Sequence, residues 1–331
     1  MSGQDHPQTE ADDGGTESRR EALTAAIDSG LDRAQSGAPA AGQATRNRFS
    51  ASEIFQRVVA SAEEEVEDTH VELFFSGIAA GFAIAVTVLG YTVVAAAVGD
   101  AEGLTQLLAP LLYPIGFVII VIGHYQLYTE NTLPPVTLVL TRLASVPALL
   151  RVWGLVIAGN FVGVAVGAYL LAVTGVFAPH EAAVAQGFAA KALAQSWWDL
   201  FYNGVFAGWL VAGLVWVDHG ARDTIARIAL VYAIVFVIPA ADLYHVVTST
   251  AESLYLLFRG GATPMALFRD YLLPVFLGNT IGGVVPVAII NFAHTGEHVA
   301  NEDHDAQGRL SVREWLFGSA AGRSHVPFEE E

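Results

Sequence analysis

The 331-residue chain has no cysteine, a single lysine at position 191, and two methionines. Without thiols it forms no disulfide, no thiolate metal site and no cysteine nucleophile. Positive charge is scarce too: sixteen Lys and Arg stand against thirty-three Asp and Glu, and the net charge of −17 resides mostly in residues 1–72 and 297–331. Such acidity repels phosphate backbones, which argues against nucleic acid as a partner, and it keeps the tails solvated. Arginine in place of lysine with acidic tails fits a salt-adapted host, with a GC-rich genome as the plain alternative.

Charge is missing altogether from Leu73 to Val98, an apolar run of 26 residues, where about 20 suffice for a helix to cross hydrocarbon. Further runs at Gln106–Gly123, Trp153–Phe177, Leu200–Val217, Ile228–Ala241 and Tyr271–Phe292, with 53% hydrophobic residues and a mean hydropathy of +0.46, predict an all-α integral membrane protein. No basic, apolar, small-residue leader precedes the first run, so no cleaved signal is expected. Residues 1–49 lack periodicity and read as a disordered acidic arm. Residues 50–71 read as an amphipathic helix lying on the membrane surface, with Ser50 and Glu53 in capping-box spacing. Residues 72–292 form the membrane domain and 293–331 an acidic tail.

Within that domain one phrase is written twice. SGIAAGFAIAV at Ser76–Val86 is answered by NGVFAGWLVAG at Asn203–Gly213, QLYT at Gln126–Thr129 by DLYH at Asp242–His245, and GNFVG at Gly159–Gly163 by GNTIG at Gly278–Gly282. Three spans per copy, an odd number, predict six transmembrane helices as two inverted three-helix repeats, an aquaporin-like plan with its permeation path at mid-depth. The basic loops around Arg142 and Arg151, and around Arg222 and Arg227, place themselves and both termini in the cytoplasm of a multi-pass cell-membrane protein. Arg259 and Arg269 fall in a loop that this topology puts outside.

The second and fifth apolar stretches are interrupted, at HYQLYTENTLPP and PAADLYH. Irregular backbone at membrane depth survives only where protein buries it or it lines a wet cavity, so both breaks mark a lumen. Asn131 or Thr132 is expected to cap the half-helix after the first break, with Pro134 and Pro135 in its first turn, and Asp242 the one after the second. Two helix N-termini meeting at the midplane favour a small anion over a cation.

YPIGFVIIVIGHYQLYT, DLYHVV and LLPVFLGNTIGG together resemble the formate/nitrite transporters over about residues 50–292. That resemblance implies a homopentameric channel for small monovalent anions of weak acids, with no cofactor and no enzymatic role. It makes His245 the central pore histidine, Thr129 the Ω-loop threonine, Asn279 the sixth-helix asparagine and Lys191 the vestibule lysine. Tyr113 and Phe117, with Ile238 and Leu127, would form apolar constrictions either side of the histidine. The sequence departs from the family at Tyr244, which replaces its glutamate, at Gly208, which replaces its fourth-helix asparagine, and at Glu130, which interrupts its Thr-Ser-Thr run.

An intramembrane histidine is functional by default, which favours a pore role for His245 over a satisfied core residue. Lys191 is either an electrostatic funnel or a side chain snorkelling at a helix end. Asp242 reads as a cap sooner than as a proton relay, and Glu130 either pairs with an arginine or gates the path. Asn160 reads as close helix packing, and Asn279 adds to that a secondary hold on the histidine loop. Trp197, Trp198 and Tyr202 read as interface anchors. The expected mechanism carries the anion, with a proton supplied directly or indirectly through His245, across the neck as the neutral acid. Two rivals remain: a neutral-solute or water pore of the same fold, and an intramembrane metal enzyme built on His124, Glu130, Asp242 and His245. The second lacks any HExxH spacing.

Overall fold

Helix α1, Ala51–Glu67, starts where the sequence says it should. Ser50 Oγ accepts the Glu53 N–H at 3.2 Å and the Glu53 carboxylate accepts the Ser50 N–H at 2.6 Å, completing the capping box. Its apolar face does not lie on lipid, however. Phe55, Val58, Ala62 and Val66 are buried against the protein, chiefly against the short helix that follows the first break. A stripe of this kind is satisfied equally by a membrane or by a protein surface, and composition cannot separate the two.

The structure is a computed structural model that describes residues 49–99, 102–296 and 309–319. The chain divides into units Met1–Phe49 and Ser50–Glu331, and the expected disordered arm and most of the acidic tail lie outside the described residues. From α1 the chain continues through α2 (His70–Val98), α3 (Gly103–Gly123), the first break, and α4 (Pro134–Leu140). Then follow α5 (Val146–Val173), α6 (Pro179–Leu193), α7 (Trp197–His219), α8 (Thr224–Ala240), the second break, α9 (Val246–Phe258) and α10 (Pro264–Thr295). A six-residue helix, α11 (Val312–Phe317), closes the described chain.

Five of these, α2, α3, α5, α7 and α10, are long and apolar enough to cross a membrane, and α8 and α9 are shorter apolar helices on either side of the second break. The protein is therefore an all-α, multi-pass membrane protein. Outward-facing Phe75, Val166, Tyr169, Trp198, Tyr202 and Phe206 supply the apolar exterior that such a protein presents to lipid.

Two helix pairs pack closely because glycine lets their backbones touch. A Cβ on Gly81, Gly159 or Gly163 would strike the backbone of the facing helix in the α2–α5 pair, and one on Gly208, Gly278 or Gly282 would do the same in the α7–α10 pair. The partners repeat as well: Gly159 faces the Phe74 carbonyl and Gly278 the Phe201 carbonyl, while Gly163 faces Ile78 and Gly282 faces Val205. At Gly208 a side chain would fall on the backbone of Asn279. The asparagine that the resemblance implies for position 208 does not fit this packing.

On one side the described ends of the chain gather around the arginine loops. Arg151 donates to the carbonyls of Val66 and Asp68, and Ile54 of α1 lies against Gly220. Arg142 exchanges bonds with Leu310 at 3.0 Å in each direction, and the Trp315 indole donates to the Val139 carbonyl at 2.8 Å. Arg259 instead donates to the Ala172 carbonyl near the C-terminus of α5.

Candidate functional site

The two breaks are built alike. His124 and Asp242 each adopt the left-handed conformation at φ 53°, which is costly for a residue with a side chain and ends the preceding helix sharply. Next to them the Tyr125 N–H reaches back to the Ile120 carbonyl at 3.0 Å, and the Leu243 N–H to the Ile238 carbonyl at 2.8 Å. One buried asparagine then holds each loop. Asn160 accepts from the Tyr128 N–H and donates to the carbonyls of Gln126 and Gly77, every bond at 2.9 Å. Asn279 accepts from the Val246 N–H at 2.8 Å and donates to the carbonyls of Tyr244 and Gly204 at 2.9 Å.

These bonds set the register between the breaks, and it differs by two residues from the pairing of QLYT with DLYH. His124 matches Asp242 and Tyr128 matches Val246, so His245 answers Leu127 and not Thr129. The shared Leu-Tyr dipeptide misleads because it occupies different places in the two loops. Asn160 likewise does more than pack helices: it holds the first break as Asn279 holds the second.

Neither expected cap forms. The residue before α4 is Leu133, with no side-chain bond, and prolines at 134 and 135 remove two of the N–H groups that would need one. Thr132 Oγ1 donates instead to the Thr129 carbonyl at 2.7 Å, and the Asn131 amide to Gln126 Oε1 at 2.8 Å. At the second break His245 itself caps α9, its Nδ1 accepting the Thr248 N–H at 3.4 Å. Asp242 is turned away by its left-handed backbone and pairs with Lys191 Nζ at 2.6 Å.

His245 is 1% exposed. Its Nε2 lies 2.6 Å from Thr129 Oγ1, which joins the first break to the second, and its Nδ1 lies 3.3 Å from Thr248 Oγ1. Because Nδ1 is the acceptor that caps α9, the network assigns the neutral tautomer with the proton on Nε2, directed at Thr129. The Phe117 ring meets the imidazole edge-on at 5.0 Å between centroids, and Tyr113 stacks on Phe117 at 5.8 Å. Tyr113 also donates to Thr248 Oγ1 at 3.1 Å. Leu127 and Ile238 are fully buried.

A cavity of about 700 Å³ opens onto this imidazole. Its wall carries Tyr91, Tyr113, Lys191, Asp242, Tyr244 and His245. Lys191 and Asp242, 58% and 48% exposed, stand as a pair toward solvent, so the lone lysine arrives at the cavity already neutralised. Tyr244 receives a hydrogen bond from Gln195 at 2.6 Å. Glu130 lies outside this wall; its Oε1 has no hydrogen-bond partner among the described residues, and Asp218 and Glu65, both acids, are the charges that act on it. Of the two roles open to it, pairing with an arginine is not found among the described residues. Nor do His124, Glu130, Asp242 and His245 converge: among the described residues no group of three His, Cys, Asp or Glu is placed to hold a metal ion.

One residue in the cavity was missed by reading the sequence. Glu252, 8% exposed, lines the same wall with Thr248 and Ser249 and accepts from Tyr271 OH at 2.9 Å. The signal was present: His245, Thr248, Ser249 and Glu252 stand at i, i+3, i+4 and i+7, hence on one face of a helix, with Thr250 and Ser253 as further polar residues of the stretch.

A membrane-embedded bundle whose helices break around one buried imidazole, at the base of a cavity, defines a channel or transporter for small solutes. The sequence profile described as formate/nitrite transporter matches residues 52–293, and the chain belongs to that family. It is 28% identical over 253 residues to the inner membrane protein YfdC of Escherichia coli (strain K12), covering 75% of this chain and 80% of that one. It is 27% identical over 252 residues to the formate channel FocA of Haemophilus influenzae, covering 68% and 87%. A solved FNT family ion channel superimposes with a TM-score of 0.68 at 20% identity, covering 73% of this chain and 99% of that chain.

Proposed function

We propose that the protein conducts the small monovalent anions of weak acids, formate and nitrite among them, together with a proton. The observation that carries this reading is the neutral His245, whose Nε2–H faces Thr129 where the two breaks meet, under an aromatic neck and at the base of a cavity. A bare charge in that neck costs several kcal/mol, whereas a small protonated acid gives up only a hydrogen bond or two. The anion therefore takes up its proton on the cavity side and crosses as the neutral acid. His245 takes part indirectly, offering with Thr129 the hydrogen-bonding groups that the acid meets in the neck.

In this reading Phe117 and Tyr113 form the constriction on the cavity side of His245, Leu127 and Ile238 the one beyond it, and Thr129 and Asn279 fix the break loops. Six crossings arise when α3 with α4, and α8 with α9, are each counted as one interrupted span, and the matching asparagine and glycine contacts support two inverted repeats. The gathering of both described chain ends around the arginine loops supports a cytoplasmic location for them. A homopentamer is proposed from a solved relative described as a pentameric formate channel with formate bound. Glu130, among acids on the far side of the breaks, is proposed to tune exit from the path.

The test is flux into proteoliposomes over a panel of small monobasic anions at two pH values. Uptake of formate or nitrite that rises as pH falls is the expected result. A second reading, a pore for neutral solutes, is favoured by the two carboxylates that face one lysine across the cavity. Uptake of an uncharged solute that no anion competes with would establish it instead.

The Lys191–Asp242 pair gives a signed expectation. It contributes no net charge at the mouth, so Lys191→Ala leaves one negative charge there and Asp242→Asn one positive charge. Anion uptake should fall in the first and rise in the second, both effects shrinking as salt is raised from about 0.01 M to 1 M. Initial rates at several ionic strengths decide it, and equal loss at every salt concentration rules out an electrostatic funnel.

A further inference from the structure

The cavity contains one ionisable group with no place in the pathway so far. Glu252 lies on α9 seven residues beyond His245, on the face that also carries Thr248 and Ser249. The four form a polar stripe from the cavity wall down to the imidazole, while the rest of that helix is buried in the protein. A carboxyl so far from bulk water demands a partner or a purpose. It accepts a hydrogen bond from a neutral phenol, Tyr271 OH at 2.9 Å, and the lysine of the cavity is already paired with Asp242 at 2.6 Å.

The groups that face Glu252 come from every surrounding element: Tyr91 of α2, Tyr113 of α3, Lys191 of α6, Asp242 and Tyr244 of the second break, and Tyr271 of α10. Four are neutral phenols and two cancel each other. The charge of the cavity is therefore decided by Glu252: neutral when it holds a proton, negative when it does not. An anion is admitted in the first state and repelled in the second.

His245 cannot supply the proton without exchanging partners. Its Nδ1 lone pair caps α9, and its Nε2 proton is committed to Thr129. From this we infer that Glu252 is the proton donor to the permeating anion. The Glu252 carboxyl O–H bond breaks, the proton passes to an anion oxygen in the cavity, the new neutral acid moves on to the imidazole, and the carboxylate regains a proton from cavity water. Tyr271 steadies the carboxylate in between, as an O–H donor to the charged form. The inference rests on the proposed weak-acid conduction and names the proton source for it.

Full-length protein in proteoliposomes tests it, with formate uptake followed from pH 5 to 8 for the wild type, Glu252→Gln and Tyr271→Phe. Glutamine keeps the shape and the hydrogen bond from Tyr271 but carries no exchangeable acid proton. Uptake at the acid end should fall by about tenfold or more and lose its pH dependence. Tyr271→Phe keeps the acid and removes the donor that favours its charged form, so the midpoint of the pH profile should move upward. A Glu252→Gln channel with wild-type rate and profile overturns the inference, as does an unmoved midpoint in Tyr271→Phe should the glutamine variant fail to assemble. Infrared pH titration supplies a readout independent of flux: because Glu65 and Glu130 are buried carboxyls too, the readout is the wild type minus Glu252→Gln difference spectrum, which should contain a protonated-carboxyl band that disappears over the same pH range as uptake, and a difference spectrum without that band overturns the assignment. Wild-type vesicles that take up no formate or nitrite at any pH defeat the proposed function itself, a result distinct from either of these.

Discussion

His245→Phe should reduce formate and nitrite uptake to the level of protein-free vesicles, at acid and neutral pH alike. Phenylalanine fills nearly the same space and keeps the edge-on contact that Phe117 makes at 5.0 Å, so the neck stays closed to bulk water. What disappears is the Nε2–H in the neck, together with its 2.6 Å link to Thr129. The acid then meets a phenyl ring where the imidazole stood and loses a hydrogen-bonding partner as it sheds its water, a cost of a few kcal/mol that slows passage by about two orders of magnitude. Loss of the α9 cap costs only about 1 kcal/mol, so the assembled protein should survive and elute as the wild type does in gel filtration. His245→Asn sharpens the result. Asparagine caps helices well and offers a neutral N–H, yet carries no titratable proton. Partial uptake that keeps its pH dependence in His245→Asn separates hydrogen bonding at the neck from proton supply in the cavity. Unchanged uptake in His245→Phe removes the histidine from the mechanism.

The parts of this site that were legible in the sequence are those where membrane physics leaves few alternatives. A polar interruption in an apolar run must be buried in protein, so both breaks could be found from HYQLYTENTLPP and PAADLYH alone. GNxxG occurs twice because a helix pair in contact through glycine admits nothing larger, and the structure places the backbones of Phe74, Ile78, Phe201 and Val205 against those glycines. Side-chain assignments within the loops were not legible. Capping preference ranks Asp242, Asn131 and Thr132 as caps, but rank says nothing about the left-handed turn at 242 that swings the aspartate toward Lys191 and hands the cap to His245. The surface helix α1 shows the same limit, since its apolar stripe fits lipid and the underside of α4 equally well. Glu252 escaped because Thr250 and Ser253 scatter polarity around the rest of α9 and blur the stripe, and its partner Tyr271 is nineteen residues away.

The threefold use of one buried amide gives the second large expectation. Asn279→Ala removes three hydrogen bonds and leaves the Val246 N–H and the carbonyls of Tyr244 and Gly204 without partners in the interior. Each orphaned group costs about 1–3 kcal/mol, so the variant should be destabilised by several kcal/mol, a large share of the whole stability of a folded domain. The loss is also local: Tyr244 and Val246 flank His245, and with both untethered the imidazole loses its aim at Thr129. Asn160→Ala should do the same through the other break, releasing Gln126 and Tyr128 and with them Thr129. Because the two asparagines make corresponding bonds, the two variants should lower the thermal midpoint of the detergent-solubilised protein by similar amounts and both abolish uptake. Asn279→Asp keeps the acceptor for Val246 but turns a donor into a repelled oxygen at the two carbonyls, and should be no better than alanine. If Asn160→Ala proves harmless while Asn279→Ala is severe, the breaks are not equivalent supports. Thr129 would then be held by Thr132 and its own turn, not by the amide beneath it.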